Sequence, residues 1–193
     1  MGQSLEQEYK QAKRKSAKPM LWVSMISMTM MFAGLTSAYV VSRKRNDWVS
    51  FDLPIAFYTS TILIVLSSIA FILAKYFIKK NNRQLTTASL LSALVLGLGF
   101  VYFQFEGFNQ LFNAGLVFAG AQSTVKSSFI YGITLAHLVH IFAGIIVLLV
   151  VIINHFNKKY SSKDSLGLEL GAIFWHFVDI LWIYLFFFFY FIR

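Results

Sequence analysis

The run LGAIFWHFVDILWIYLFFFFYFI, residues 170–192, decides the fold. A transmembrane helix needs about 20 mostly apolar residues, and this run supplies them with a single charged residue, Asp179. A carboxylate and an imidazole near a bilayer midplane are costly, so Asp179 and His176 need a reason to be there. They stand three apart, and so do not face opposite ways on a helix. Trp175 and Trp182 stand seven apart and also share a face.

Working outward, four further runs qualify as spans: residues 20–42, 53–74, 85–105 and 127–154. None of them contains Asp, Glu, Lys or Arg. The runs are continuous, without the period-two alternation of a membrane β-barrel. The expected fold is therefore an all-α membrane protein, a bundle of five transmembrane helices. Residues 1–19 form a basic tail, and residues 20–193 a single membrane domain. The first run has too long an apolar core, and too long and mixed a tail, for a cleaved signal peptide. It reads as a retained helix.

Composition agrees. Hydrophobic residues make up 58% of the 193 and charged residues 13%, too apolar for a soluble domain of this size. The net charge of +9 suggests nucleic acid at first sight, but the basic residues fall between the apolar runs, where they signal topology instead. Lys10, Lys13, Arg14, Lys15, Lys18, Lys75, Lys79, Lys80, Arg83, Lys158, Lys159 and Lys163 lie on one side. Arg43, Lys44, Arg45, Lys126 and Arg193 lie on the other, the first three partly balanced by Asp47 and Asp52. The positive-inside rule puts the N-terminus in the cytoplasm and the C-terminus outside. With no cysteine, disulfides, thiolate ligands and cysteine nucleophiles are excluded. No Gly-rich phosphate loop occurs, and the connections are too short to hide a soluble domain. The longest, residues 106–126, is expected on the outer membrane surface or against a partner.

Small residues let helices approach in lipid. Ala33, Gly34, Ser37 and Ala38 in the first run, Gly97 and Gly99 in the third, Gly132, Ala136 and Gly144 in the fourth, and Gly167 and Gly171 at the fifth read as bundle packing. Met25, Met28, Met30 and Met31 spread around their helix and read as packing residues rather than a copper stripe. His155, at the end of the fourth run, reads as interfacial. His137 and His140 share a face mid-helix, and His140 lies at a depth comparable to Asp179. For His137, His140, His176 and Asp179 the residues leave three readings open: a hydrogen-bonded polar cluster that fixes packing, bis-histidine haem ligation by His137 or His140 with His176, and a proton relay.

Several segments together resemble subunit III of the haem-copper terminal oxidases, the cytochrome c oxidase subunit III family. WVSMISMTMMFAGLTSAYVVSR (residues 22–43) is similar to the family helix carrying F-A-G-L-x-x-A-Y. LPIAFYTSTILIVLSS (53–68), LGFVYFQ (98–104), and His137-Leu-Val-His140 with Gly144 follow in order, and Trp175-His-Phe-Val-Asp179 with Trp182 is the most specific block. The resemblance implies an accessory subunit of an oxygen reductase with no catalytic centre, cofactor or metal of its own. The family's redox centres take six histidine ligands, and this chain has four histidines. Haem and copper would sit in partner subunits. The implied partners are subunit I above all, subunit II, a small subunit IV, phospholipids and a respiratory supercomplex, with no nucleic acid. His137, His140, His176 and Asp179 would then stabilise the bundle, and the chain would support proton uptake and sustained turnover. The mitochondrial form has seven helices and this chain five, as in bacterial members, which implies a bacterial plasma membrane. The glutamate common in the family's corresponding first helix falls at Met28, and Glu106 is no substitute for it. Alternatives are the equivalent subunit of a quinol oxidase, a nitric-oxide-reductase accessory protein, a standalone di-histidine b-type cytochrome and, weakest, a small proton-coupled transporter.

Overall fold

The computed structural model describes residues 2–45, 48, 51–120, 123–160 and 165–192; for residues 2–7, 9–11 and 13 it describes the backbone alone. Asp47, Lys163 and Arg193 lie outside the described residues, as do the side chains of Lys10 and Lys13. The chain is all-α: α1 spans Gly2–Ser42, α2 Ile55–Lys79, α3 Arg83–Asn113, α4 Val125–Phe156 and α5 Leu166–Phe191. All five are long and apolar enough to cross a membrane.

Two helices outrun their apolar cores. α1 starts at Gly2, because the segment before Pro19 is rich in Gln, Glu, Lys and Ala, all good helix formers. Its 41 residues make a rod of about 60 Å, twice the roughly 30 Å of bilayer hydrocarbon. α3 continues through residues 106–113, which the apolar pattern assigned to a surface connection. Nothing in that stretch breaks a helix until Gly115, whose φ of +78° turns the chain away.

α2 and α3 form the most extensively packed pair, joined by a turn in which Asn81 takes φ +56° and the Asn82 side chain accepts from the Leu85 N–H. α3 packs on α4, α4 on α5, and α5 back on α2, which closes a four-helix ring. α5 reaches α3 through its two tryptophans. α1 leans on the outside of this ring against α4 and α5. In its span 17% of the apolar window is buried, against 61% in α5, so α5 is the central helix and α1 the peripheral one. The α4 N-terminus is closed by a reciprocal capping box between Thr124 and Ser127. The Tyr39 hydroxyl donates to the Ile192 carbonyl at 3.1 Å, fastening α1 to the end of α5.

The small residues divide. Gly97, Gly144 and Gly171 do face neighbouring helices. Ala33, Gly34, Ser37 and Ala38 are exposed, and a Cβ on Gly34 would meet nothing within 4 Å. α1 packs inward through Met25, Phe32, Thr36 and Tyr39 instead, because larger side chains are needed to bridge its wider separation from the ring.

Candidate functional site

The α5 block fills the middle of the ring. Trp175 is 1% exposed, and its Nε1–H donates to Ser67 Oγ at 3.2 Å; that hydroxyl passes its own proton to the Ala93 carbonyl at 2.8 Å. The indole lies between two glycines. A Cβ on Gly97 would come within 2.8 Å of it, and one on Gly144 within 3.3 Å. Two turns along, Trp182 Nε1–H donates to Thr61 Oγ1 at 3.0 Å, and Thr61 donates to the Phe57 carbonyl at 2.7 Å. Rings of Phe57, Phe100 and His137 surround it at 5.3–5.7 Å. In both cases a hydroxyl that bonds its own or a neighbouring helix backbone accepts an indole N–H across the α2–α5 seam.

The four polar residues expected to cluster separate into two groups. His137 is fully buried against Phe32, Phe100 and Trp182, with ring centroids 5.3–6.3 Å apart. Neither of its nitrogens has a hydrogen-bond partner among the described residues. His140, one turn on, gives its Nδ1–H to the Ala136 carbonyl at 2.8 Å and also packs on Phe32, at 5.7 Å between ring centroids. His176 faces α2, where its Nδ1 shares a 2.6 Å hydrogen bond with the Ser68 hydroxyl. Asp179 is 1% exposed beside the same Ser68, yet neither carboxylate oxygen has a partner of acceptable geometry among the described residues. The hydrogen-bonded Asp–His cluster suggested by helix depth is thus not formed: His137 packs against rings of α1, α3 and α5, His140 against α1, and His176 and Asp179 lie beside Ser68 of α2.

The donor set also bears on haem. His137 is walled by the rings of Phe32, Phe100 and Trp182, and His176 is hydrogen-bonded to Ser68 of α2. Among the described residues, no group of three or more His, Cys, Asp or Glu is placed to hold a metal ion. The methionines do not converge: Met25 is buried, while Met30 and Met31 are exposed.

His155 was expected merely at an interface; it is 4% exposed. Thr87 gives its proton to the Arg83 carbonyl, so its oxygen accepts from His155 Nε2–H at 2.9 Å, tying the end of α4 to the start of α3. Sequence reasoning missed Thr61, Ser67, Ser68 and the buried pair of Ser60 and Gln104, whose amide Nε2–H donates to Ser60 Oγ at 2.9 Å. No spacing marks them: the acceptors of the two indoles, Thr61 and Ser67, stand six apart, while the tryptophans stand seven apart.

Cavities follow the seams of α1. A cleft of about 620 Å³ opens between α1, α4 and α5, lined by residues including Met20, Met28, Val147, Val150, Gly171 and Phe174. Beside it Lys18 Nζ pairs with Glu169 at 3.1 Å. Smaller cavities of about 380 and 330 Å³ adjoin Phe32 and Tyr184, and Leu35 and Gly132.

A family model described as cytochrome c oxidase subunit III matches residues 46–193, which begins after α1. Among similar proteins, a cytochrome c oxidase subunit 3 of Spodoptera frugiperda is 31% identical over 128 residues, 66% of this chain and 82% of that protein. One of Alkalihalophilus pseudofirmus is 26% identical over 155 residues, 80% of this chain and 73% of its own. The Drosophila yakuba protein is 30% identical over 127 residues, and the chain spans only 46% of its length. Five apolar helices, an α5 block built into the core by its tryptophans, and a family match over well over half of the sequence lead to one assignment: this chain belongs to the cytochrome c oxidase subunit III family.

Proposed function

We propose that the chain is the accessory, non-redox subunit III of a bacterial haem-copper oxygen reductase. It packs on subunit I, beside subunit II and a small subunit IV, within the plasma membrane. Residues 1–19 and the N-terminus lie on the cytoplasmic side, the C-terminus lies outside, and residues 20–193 form one membrane domain. The observation that carries this reading is the use made of the family block in α5. Both indole N–H groups, two glycine slots and the His137 ring are spent on joining α2, α3, α4 and α5. His137, His140, His176 and Asp179 are accordingly stabilising residues of the bundle rather than ligands.

The 620 Å³ cleft supports a lipid-holding role. Its lining is almost wholly aliphatic or aromatic, and its volume suits an acyl chain, with Lys18 at the rim to meet a head group. A lipid there would fill the gap between α1 and the ring. A stable contact with subunit I would then support proton uptake and sustained turnover in that subunit.

The test is mild-detergent purification through a tag on this chain, with a visible spectrum and subunit identification by mass. Haem is expected to copurify with a large catalytic subunit and to be absent from this chain once it is stripped from the complex. Haem retained by the isolated chain, and removed by His137→Ala or His176→Ala, sinks the reading.

A further inference from the structure

Ser60 of α2, Gln104 of α3, and Thr134 and His137 of α4 are each fully buried. Gln104 Nε2–H donates to Ser60 Oγ, and Ser60 spends its only proton on the Phe57 carbonyl at 2.9 Å. Gln104 Oε1 therefore receives no donor. Thr134 Oγ1 and both nitrogens of His137 likewise have no partner among the described residues. Rotating the Gln104 amide does not help, because it only exchanges which of its two polar atoms is orphaned.

These orphans lie together. The rings of Phe100 and His137 meet across α3 and α4 at 6.0 Å. The two helices are antiparallel, and Gln104 lies one turn beyond Phe100 while Thr134 lies one turn before His137. Both steps run the same way along the bundle, by roughly 5 Å, so Gln104 and Thr134 fall at one level of the α3–α4 seam, one turn from His137. Buried polar atoms in native proteins find partners, and ordered water supplies them where side chains do not. The chemistry of the three groups is complementary to water. A glutamine carbonyl only accepts, a threonine hydroxyl does both, and an imidazole in its neutral form offers one donor and one acceptor. A water molecule, with two hydrogens and two lone pairs, can give one hydrogen to Gln104 Oε1 and the other to the accepting nitrogen of His137, and take the Thr134 proton.

We propose that Gln104, Thr134 and His137 form an internal water-binding site that bridges α3 and α4 inside the four-helix ring. The bridge joins the two helices between the Phe100–His137 and Phe108–Tyr131 ring contacts. It requires only the fold, so it stands or falls independently of the oxidase reading.

The test is a density map of the intact complex, purified through this chain, at a resolution that shows ordered water, for the native protein and for Thr134→Val. A peak within hydrogen-bond reach of all three side chains, lost in the variant while Phe100 and His137 keep their contact, is the expected result. A direct hydrogen bond between the side chains with no peak between them, or a peak unchanged in Thr134→Val, overturns the proposal. Should Thr134→Val fail to assemble, Gln104→Met is used in its place: loss of the peak supports the water site, and an unchanged peak overturns it.

Discussion

At the scale of single residues, the core is decided by how closely a flat indole can approach a helix backbone. Trp175 lies on Gly97 and Gly144, and each added methyl must displace a ring whose Nε1 is held by Ser67. Overpacking of this kind costs about 1–3 kcal/mol. Gly97→Ala, with its Cβ at 2.8 Å, should fall at the upper end, and Gly144→Ala, at 3.3 Å, well below it. Melting temperatures of the purified complex carrying each variant check the order; equal losses would mean that the indole swings freely. Asp179 gives the opposite expectation. A buried carboxylate with no bonded partner contributes no ion pair, so Asp179→Asn, which keeps its shape, should change stability by less than about 1 kcal/mol. A large loss in the same melt would reveal a charge partner. The sequence exposed the rare chemistry here, His176 and Asp179, since ionisable groups stand out in an apolar run. It did not expose their partners. Serine and threonine in membrane helices usually bond the carbonyl one turn back, as Thr29 and Thr36 do, so nothing in the composition of α2 marks Thr61, Ser67 and Ser68 as acceptors for another helix. That depends on the register of α2 against α5, which only packing supplies.

At the scale of the element, the existence of five helices was plain from the apolar runs, whereas their ends and packing faces were not. Apolar runs report where lipid is, not where a helix stops, which is why α1 and α3 run on past theirs. The stripe of Ala33, Gly34, Ser37 and Ala38 pointed to the inward face of α1, but that helix stands off from the ring, and Phe32 and Tyr39 span the distance. Two contacts could hold α1 in place, and their magnitudes separate them. The Lys18–Glu169 pair is 51% and 33% exposed, so screening leaves it about 0.2–1 kcal/mol at most. Phe32 is 1% exposed and touches both His137 and His140. Phe→Ala in a packed core costs roughly 3–5 kcal/mol, and the lower end applies where lipid tails can solvate the exposed surface. Lys18→Ala should therefore leave the melting temperature of the complex nearly unchanged, and Phe32→Ala should lower it clearly. The reverse order would make the ion pair, not the aromatic contact, the anchor of α1.

At the scale of the whole molecule, the open question is which way the bundle sits, and charge and geometry answer it in different ways. The helices alone are indifferent to being inverted. The basic residues are not: twelve of the seventeen Lys and Arg fall within residues 10–18, 75–83 and 158–163, the N-terminal tail and the surroundings of the α2–α3 and α4–α5 turns. All of those segments emerge on one side of a five-helix bundle with alternating directions. The dissenting triplet Arg43–Arg45 ends α1 on the opposite side, so the bias is strong but not unanimous. Because the chain has no cysteine, a single introduced thiol reports its own side without background. Ala114, just after α3, and Lys159, just after α4, are both exposed and lie at opposite ends of the bundle. With the N-terminus in the cytoplasm, Ala114→Cys should react with a membrane-impermeant maleimide in intact cells, and Lys159→Cys only after the membrane is opened. The opposite pattern would invert the molecule and place the Lys18 rim of the α1 cleft outside. Labelling of both sites in intact cells would mean that the basic triplet after α1 competes successfully and that the chain inserts in two orientations.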